Sequence, residues 1–93
     1  MPLTIHIPGP LREFTAGQSK VKIECSGATL GDALSALWIV YPGLRHRVVT
    51  EQGEIREHIN VFIGDSDIRF TGGLISGLSG ESDISIVPSI SGG

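Results

Sequence analysis

The sequence predicts an α+β domain in which one amphipathic helix lies on one face of a mixed sheet of four to five strands. Three observations carry this. Short segments near both ends alternate apolar and polar residues, the period of a half-buried strand. One stripe at helical spacing separates the early strands from the late ones. No internal repeat or linker interrupts the order ββαβ(β)β, and one helix on one sheet is the economical way to bury such elements.

Leu3-Thr4-Ile5-His6-Ile7 alternates and is stopped by Pro8-Gly9-Pro10, so it reads as the first strand. Leu11 to Thr15 reads as a short connection and Ala16-Gly17-Gln18 as a turn. Lys20 to Cys25 alternates again, with Val21, Ile23 and Cys25 on one face. The short gap suggests an antiparallel hairpin. Thr29 is a natural N-cap, and Asp32 three residues later forms a near capping box. Leu30, Ala33, Leu34, Leu37, Trp38 and Tyr41 then make one apolar stripe, closed by Pro42-Gly43. Leu44 to Val49 adds a helical turn with Arg45, His46 and Arg47 on its wet side, and Thr50 to Glu57 reads as a loop.

Ile59-Asn60-Val61-Phe62-Ile63 is a mostly apolar central strand. Gly64 to Asp67 turns the chain, Ile68-Arg69-Phe70 reads as a short edge strand, and Leu74 to Leu78 as one hydrophobic turn. Asp83 to Val87 is the last strand, and Pro88, which has no N–H to donate, marks where it leaves the sheet. Residues 89–93 form a projecting tail of shrinking side chains, Ser89-Ile90-Ser91-Gly92-Gly93. Extended, it reaches roughly 17 Å at about 3.3–3.6 Å per residue. Two glycines without Cβ can pass a channel too narrow for other residues, which suits a terminus that another enzyme must hold.

Composition excludes several classes of function. The 93 residues are read as a single domain over 1–93, with one core. A net charge of −3, with seven scattered basic residues, argues against a nucleic-acid partner. No apolar run approaches the roughly 20 residues of a membrane span, so no membrane partner is expected. The start Met1-Pro2-Leu3-Thr4 carries no basic region or signal core, and one cysteine makes no internal disulfide, so a cytoplasmic location is expected. His6, His46, His58 and Cys25 lack metal-ligand spacing, and no metal or bound cofactor is expected. Cys25 reads as a small core hydrophobe, and Gly72-Gly73, without the lysine of a phosphate loop, as a turn. No catalytic residue is predicted; the chain is not expected to be an enzyme.

Leu11-Arg12-Glu13, Ala28-Thr29-Leu30, Tyr41-Pro42-Gly43-Leu44, Ile59-Asn60-Val61, Asp67 to Leu74 and Ile86 to Gly93 span nearly the whole chain. In this pattern the sequence resembles the β-grasp, or ubiquitin-like, sulfur carriers of the MoaD/ThiS family. Thr29-Leu30-Gly31, Arg69-Phe70 and Gly72-Gly73-Leu74 resemble most the CysO-like carriers, which feed sulfur to a pyridoxal-phosphate cysteine synthase. Trp38 and Glu54–His58 fall outside that pattern.

The resemblance implies that an E1-like adenylating enzyme, using its own ATP and Mg, activates the carboxylate of Gly93. A persulfide or rhodanese-type donor then supplies sulfur, leaving a thiocarboxylate on Gly93. Ile90, Ser91 and Gly92 are the part of the tail threaded into the partner, and with Gly-Gly already terminal no proteolytic step is expected. The implied acceptor is a cysteine synthase or the large subunit of molybdopterin synthase, with the thiamine pathway less favoured. Two other readings stay open: a ubiquitin-like modifier joined through Gly93 to lysines, and a binding module with an inert tail.

The helix covers only one face of the sheet, which leaves the other for water or a partner. Ile84 and Ile86 are expected to face the helix, with Ser85 and Val87 outward. Phe62 is expected in the core, with Val61 and Ile63 beside Val87 as an apolar docking patch. The family resemblance also places its enzyme contacts on that face.

Overall fold

A computed structural model describes residues 2–78 and 83–88. β1 (Pro2–His6) and β2 (Lys20–Glu24) form the antiparallel hairpin that their alternation requires, with Ile5 opposite Val21. Leu11 to Thr15 is not a plain connection: Gly9–Thr15 is a 3₁₀ helix. Pro10 stands in its first turn, where the fixed φ suits a helix and the missing N–H costs nothing.

α1 (Leu30–Val40) starts with a complete capping box. Asp32 N–H donates to Thr29 Oγ1 at 3.3 Å, while Thr29 N–H donates to Asp32 Oδ2 at 3.2 Å. The Thr29 hydroxyl also donates to Asp32 Oδ2, at 2.9 Å, and hydrogen bonds from Thr29 hold this carboxyl below its ordinary 3.8. Gly27 belongs to the same device, because a Cβ there would collide with the Asp32 carboxylate. Leu30, Ala33, Leu34 and Leu37 are buried, and Trp38 and Tyr41 pack half-buried at the rim of the stripe.

After a 3₁₀ turn at Pro42–Leu44, α2 (Arg45–Val48) buries Val48 and leaves His46 and Arg47 in water, with Arg45 half-buried. β3 (Ile59–Ile63) runs into a two-residue turn in which Gly64 takes φ +60°, and β4 is only Ser66–Asp67. The edge strand expected at Ile68–Phe70 is therefore displaced. Asp67 Oδ1 accepts from Arg69 N–H at 2.9 Å and caps a 3₁₀ turn over Ile68–Phe70 instead. The hydrophobic turn expected over Leu74 to Leu78 is shorter and shifted: a 3₁₀ turn spans Gly73–Ile75 and leaves Ile75 80% exposed.

β5 (Asp83–Pro88) completes a mixed five-stranded sheet in the order β2-β1-β5-β3-β4. It lies parallel to β1 and antiparallel to β3, in the centre of the sheet. The core between α1 and the sheet gathers Leu3, Ile5, Val21, Ile23, Val61, Ile84 and Ile86 with the helix leucines. Cys25 is buried among them as a small hydrophobe, 3% exposed. Among the described residues no helix is long and apolar enough to cross a membrane.

Candidate functional site

The site is the end of β5 and the surface around it. Gly93, Gly92, Ser91 and Ile90, the residues expected to be modified or threaded, lie outside the described residues. What the structure describes is the platform from which the tail departs.

β1 pairs with β5 only through Asp83, Ile84 and Ser85. Beyond Ser85 the ladder continues on one side alone: Ile86 opposite Val61, Val87 opposite Asn60, Pro88 opposite Ile59. The chain of β1 has by then turned away, because Pro8 opens the 3₁₀ helix. That helix and α2 flank Pro88. A cleft of about 270 Å³ there is lined by Leu11, Glu13, Phe14, Arg47, His58 and Pro88. The Arg47 guanidinium lies over the Phe14 ring, 5.1 Å from its centre, a cation–π contact that gives the long side chain a fixed seat.

Residues opposite each other in an antiparallel pair share a face. This rule settles the patch. Ile84 and Ile86 face the helix as expected, and Val87 faces outward, 42% exposed. Val61 and Ile63 do not join it. Val61 is opposite Ile86 and 1% exposed, and Ile63, opposite Ile84, packs half-buried against the core. Phe62, expected in the core, is opposite Ser85 on the open face. The expected register of β3 was one residue out, and a slip of one exchanges the two faces. Two isoleucines and a valine outweigh one phenylalanine and an asparagine in the choice of the buried side.

The outward surface at the base of the tail is thus Val87 and Asn60 side by side, with Phe62 on the diagonal at about 7–8 Å. Around them the face is polar. Ser85 and His6 follow toward β1, with His6 Nε2 3.8 Å from Asp83 Oδ2, and Lys20, Lys22 and Glu24 lie exposed on β2. A small apolar spot within a polar field suits a separable partner better than a permanent one. Asn60 and Phe62 are the residues that reasoning from sequence missed. The available signal was Asn60 itself, the one polar residue in β3, whose position marks the outward side.

A family model, described as the ThiS family, matches residues 5–93. The sulfur carrier protein CysO of Mycobacterium tuberculosis is 35% identical over 95 residues that cover the whole of both chains. Its crystal structure superposes with a TM-score of 0.85 at 33% identity, over 95% of this chain and 99% of the other. The crystal structure of an Amycolatopsis orientalis BexX/CysO complex gives 0.85 and 33% as well, over 98% and 99% of the two chains. Small archaeal modifier protein 1 of Haloferax volcanii is 34% identical over 79 residues, 84% of this chain and 86% of its own length.

Proposed function

This chain belongs to the ThiS family of β-grasp, ubiquitin-like sulfur carriers, and from that membership we propose that sulfur is loaded as a thiocarboxylate on Gly93. Its relatives are small carriers on which other enzymes act, and the chain is such a substrate rather than a catalyst.

A terminal carboxylate, with a pKa of about 3.5, is ionised near neutrality and resists attack by nucleophiles. In the proposed route an E1-like enzyme supplies Mg-ATP. A carboxylate oxygen of Gly93 attacks the α-phosphorus, pyrophosphate leaves, and an acyl-adenylate forms. A persulfide sulfur then attacks the carbonyl carbon and AMP leaves. A donor-side thiol cleaves the resulting sulfur–sulfur bond, taking one sulfur into a disulfide and releasing the thiocarboxylate. The chain itself contributes the platform and the tail, in which Ile90, Ser91 and Gly92 are the threaded part. No metal or cofactor of its own enters the route, which we place in the cytoplasm. Full-length identity to CysO favours a cysteine synthase as the acceptor over the large subunit of molybdopterin synthase. The match to a small archaeal modifier supports a second reading, conjugation through Gly93 to lysines of other proteins.

The observation that carries the proposal is the family match running through residue 93. Incubation with the cognate adenylating enzyme, ATP and a sulfur donor is expected to replace one oxygen by sulfur at Gly93, read by intact mass. Deleting Gly93 is expected to abolish the change without lowering the melting temperature. An unchanged mass, under conditions that load a related carrier, overturns the thiocarboxylate route. Gly-Gly remnants on lysines of other proteins would instead favour the modifier.

A further inference from the structure

We propose that the cleft between β3 and the 3₁₀ turn Ile68–Phe70 receives an extended peptide segment of the enzyme that handles the tail, and that the Asn60 side chain holds one of its peptide units. The inference rests on the proposed handling of the tail by an adenylating enzyme.

β4 covers only Phe62 and Ile63 of β3, so among the described residues no strand lies beside Ile59, Asn60 and Val61 on that side. There the chain turns away into Ile68–Phe70 and leaves a cleft of about 350 Å³. Its walls include Ile59 and Val61 from the covered face and Asn60 from the open face, so it runs along the edge of the strand. An open strand edge offers main-chain groups to an extended peptide.

The Asn60 amide gives the cleft its chemistry. Its Oδ1 is shielded from solvent and has no hydrogen-bond partner among the described residues. A buried acceptor left unpaired is unfavourable, and such an atom in a native fold calls for a partner. The amide carries an acceptor beside two donors, the complement of one peptide unit, and because terminal amide torsions have broad wells a rotation about χ2 would bring the shielded oxygen to an incoming peptide. The rim balances two cations, Arg56 and Arg69, against Glu57 and Asp67. Arg56 Nε is spent on the His46 carbonyl at 2.8 Å, and Arg69 Nε lies 3.5 Å from Asp67 Oδ1. A rim without net charge favours a neutral main chain over a free anion. The cleft also lies next to the tail's root, since Asn60 is opposite Val87 and Ile59 opposite Pro88.

The test is titration of the isotope-labelled full chain with its purified adenylating enzyme, following the Asn60 side-chain amide and the Val61 backbone amide. Both signals are expected to shift and to gain protection from exchange. Asn60→Leu, which removes the amide at similar volume, is expected to weaken binding about tenfold, the factor that about 1.4 kcal/mol represents. Its melting temperature should stay level or rise. Asn60→Ala serves the same end if the leucine is not accommodated. Unmoved signals at saturation, or variants that bind as tightly as wild type, overturn the assignment. So does a response to inorganic phosphate but not to the enzyme, which would mark an anion site. Intact mass of the same samples reports loading separately. Loading with unmoved Asn60 signals removes the cleft assignment alone, and moved signals without loading support the cleft and remove the thiocarboxylate route.

Discussion

The two faces of the same five strands do different work, and the contrast is sharpest where β5 meets β3. On the covered face Ile84, Ile86, Ile59 and Val61 are all 5% exposed or less, part of one core with the α1 leucines. On the open face, one residue along each strand, stand Ser85, Val87, Asn60 and Phe62, of which Val87 is exposed and Phe62 half-buried. Stability is concentrated on the first face because burial there is complete. The second face holds too little apolar surface to contribute much to folding, and its apolar spot beside Pro88 is the contact we propose for an enzyme. Chemically similar side chains in adjacent positions therefore differ in role, and substitutions can separate the two.

The largest expected effect is on the covered face. Ile86→Asp places a carboxylate among aliphatic side chains with no partner, which costs several kcal/mol, against a total stability of about 5–15 kcal/mol for a domain. The variant is expected to be unfolded or nearly so at room temperature by circular dichroism. A cooperative melt near that of the wild type would mean that β5 is not seated as described. The companion substitution is one residue away. Val87→Asp is expected to stay within about 0.5 kcal/mol of wild-type stability, as exposed substitutions usually do. It should nevertheless weaken binding to the adenylating enzyme severalfold, because it charges the apolar spot beside the tail. Phe62→Ser is expected to act in the same direction, whereas Val61→Ser should lose stability in urea melts. The reverse pattern for Val61 and Phe62 would return β3 to the register expected from sequence.

The smallest effect is a pH dependence confined to the helix side. Hydrogen bonds from Thr29 lower the Asp32 pKa in the folded chain below the ordinary 3.8. A carboxyl depressed on folding adds stability that is fully present above its unfolded pKa. That stability is lost as pH falls through the folded value. The capping contribution should therefore hold at neutral pH and fade only below about pH 4. Asp32→Asn should flatten that part of the melting-temperature profile while leaving enzyme binding at pH 7 unchanged. An equal acid sensitivity in both proteins would assign the loss elsewhere.

Much of this was legible in the residues. Period-2 alternation placed β1, β2 and β5 within a residue or two, and Thr29 with Asp32 marked the start of α1, because these signals are local. Ile84 and Ile86 could be assigned to the core because the last strand carries only one strongly apolar side. The family pattern extended to residue 93, while the sites it implied on the tail, Ile90 to Gly93, lie outside the described residues. Local chemistry could not decide β3, since a run that is apolar on both sides carries no alternation to orient it, and only the pairing of Val61 with Ile86 chose the face. Nor could it show that an Asp67 cap would turn Ile68–Phe70 out of the sheet and open a cleft beside Asn60. Those outcomes depend on which strands become neighbours, and residues far apart in sequence exert that influence only once the chain has folded.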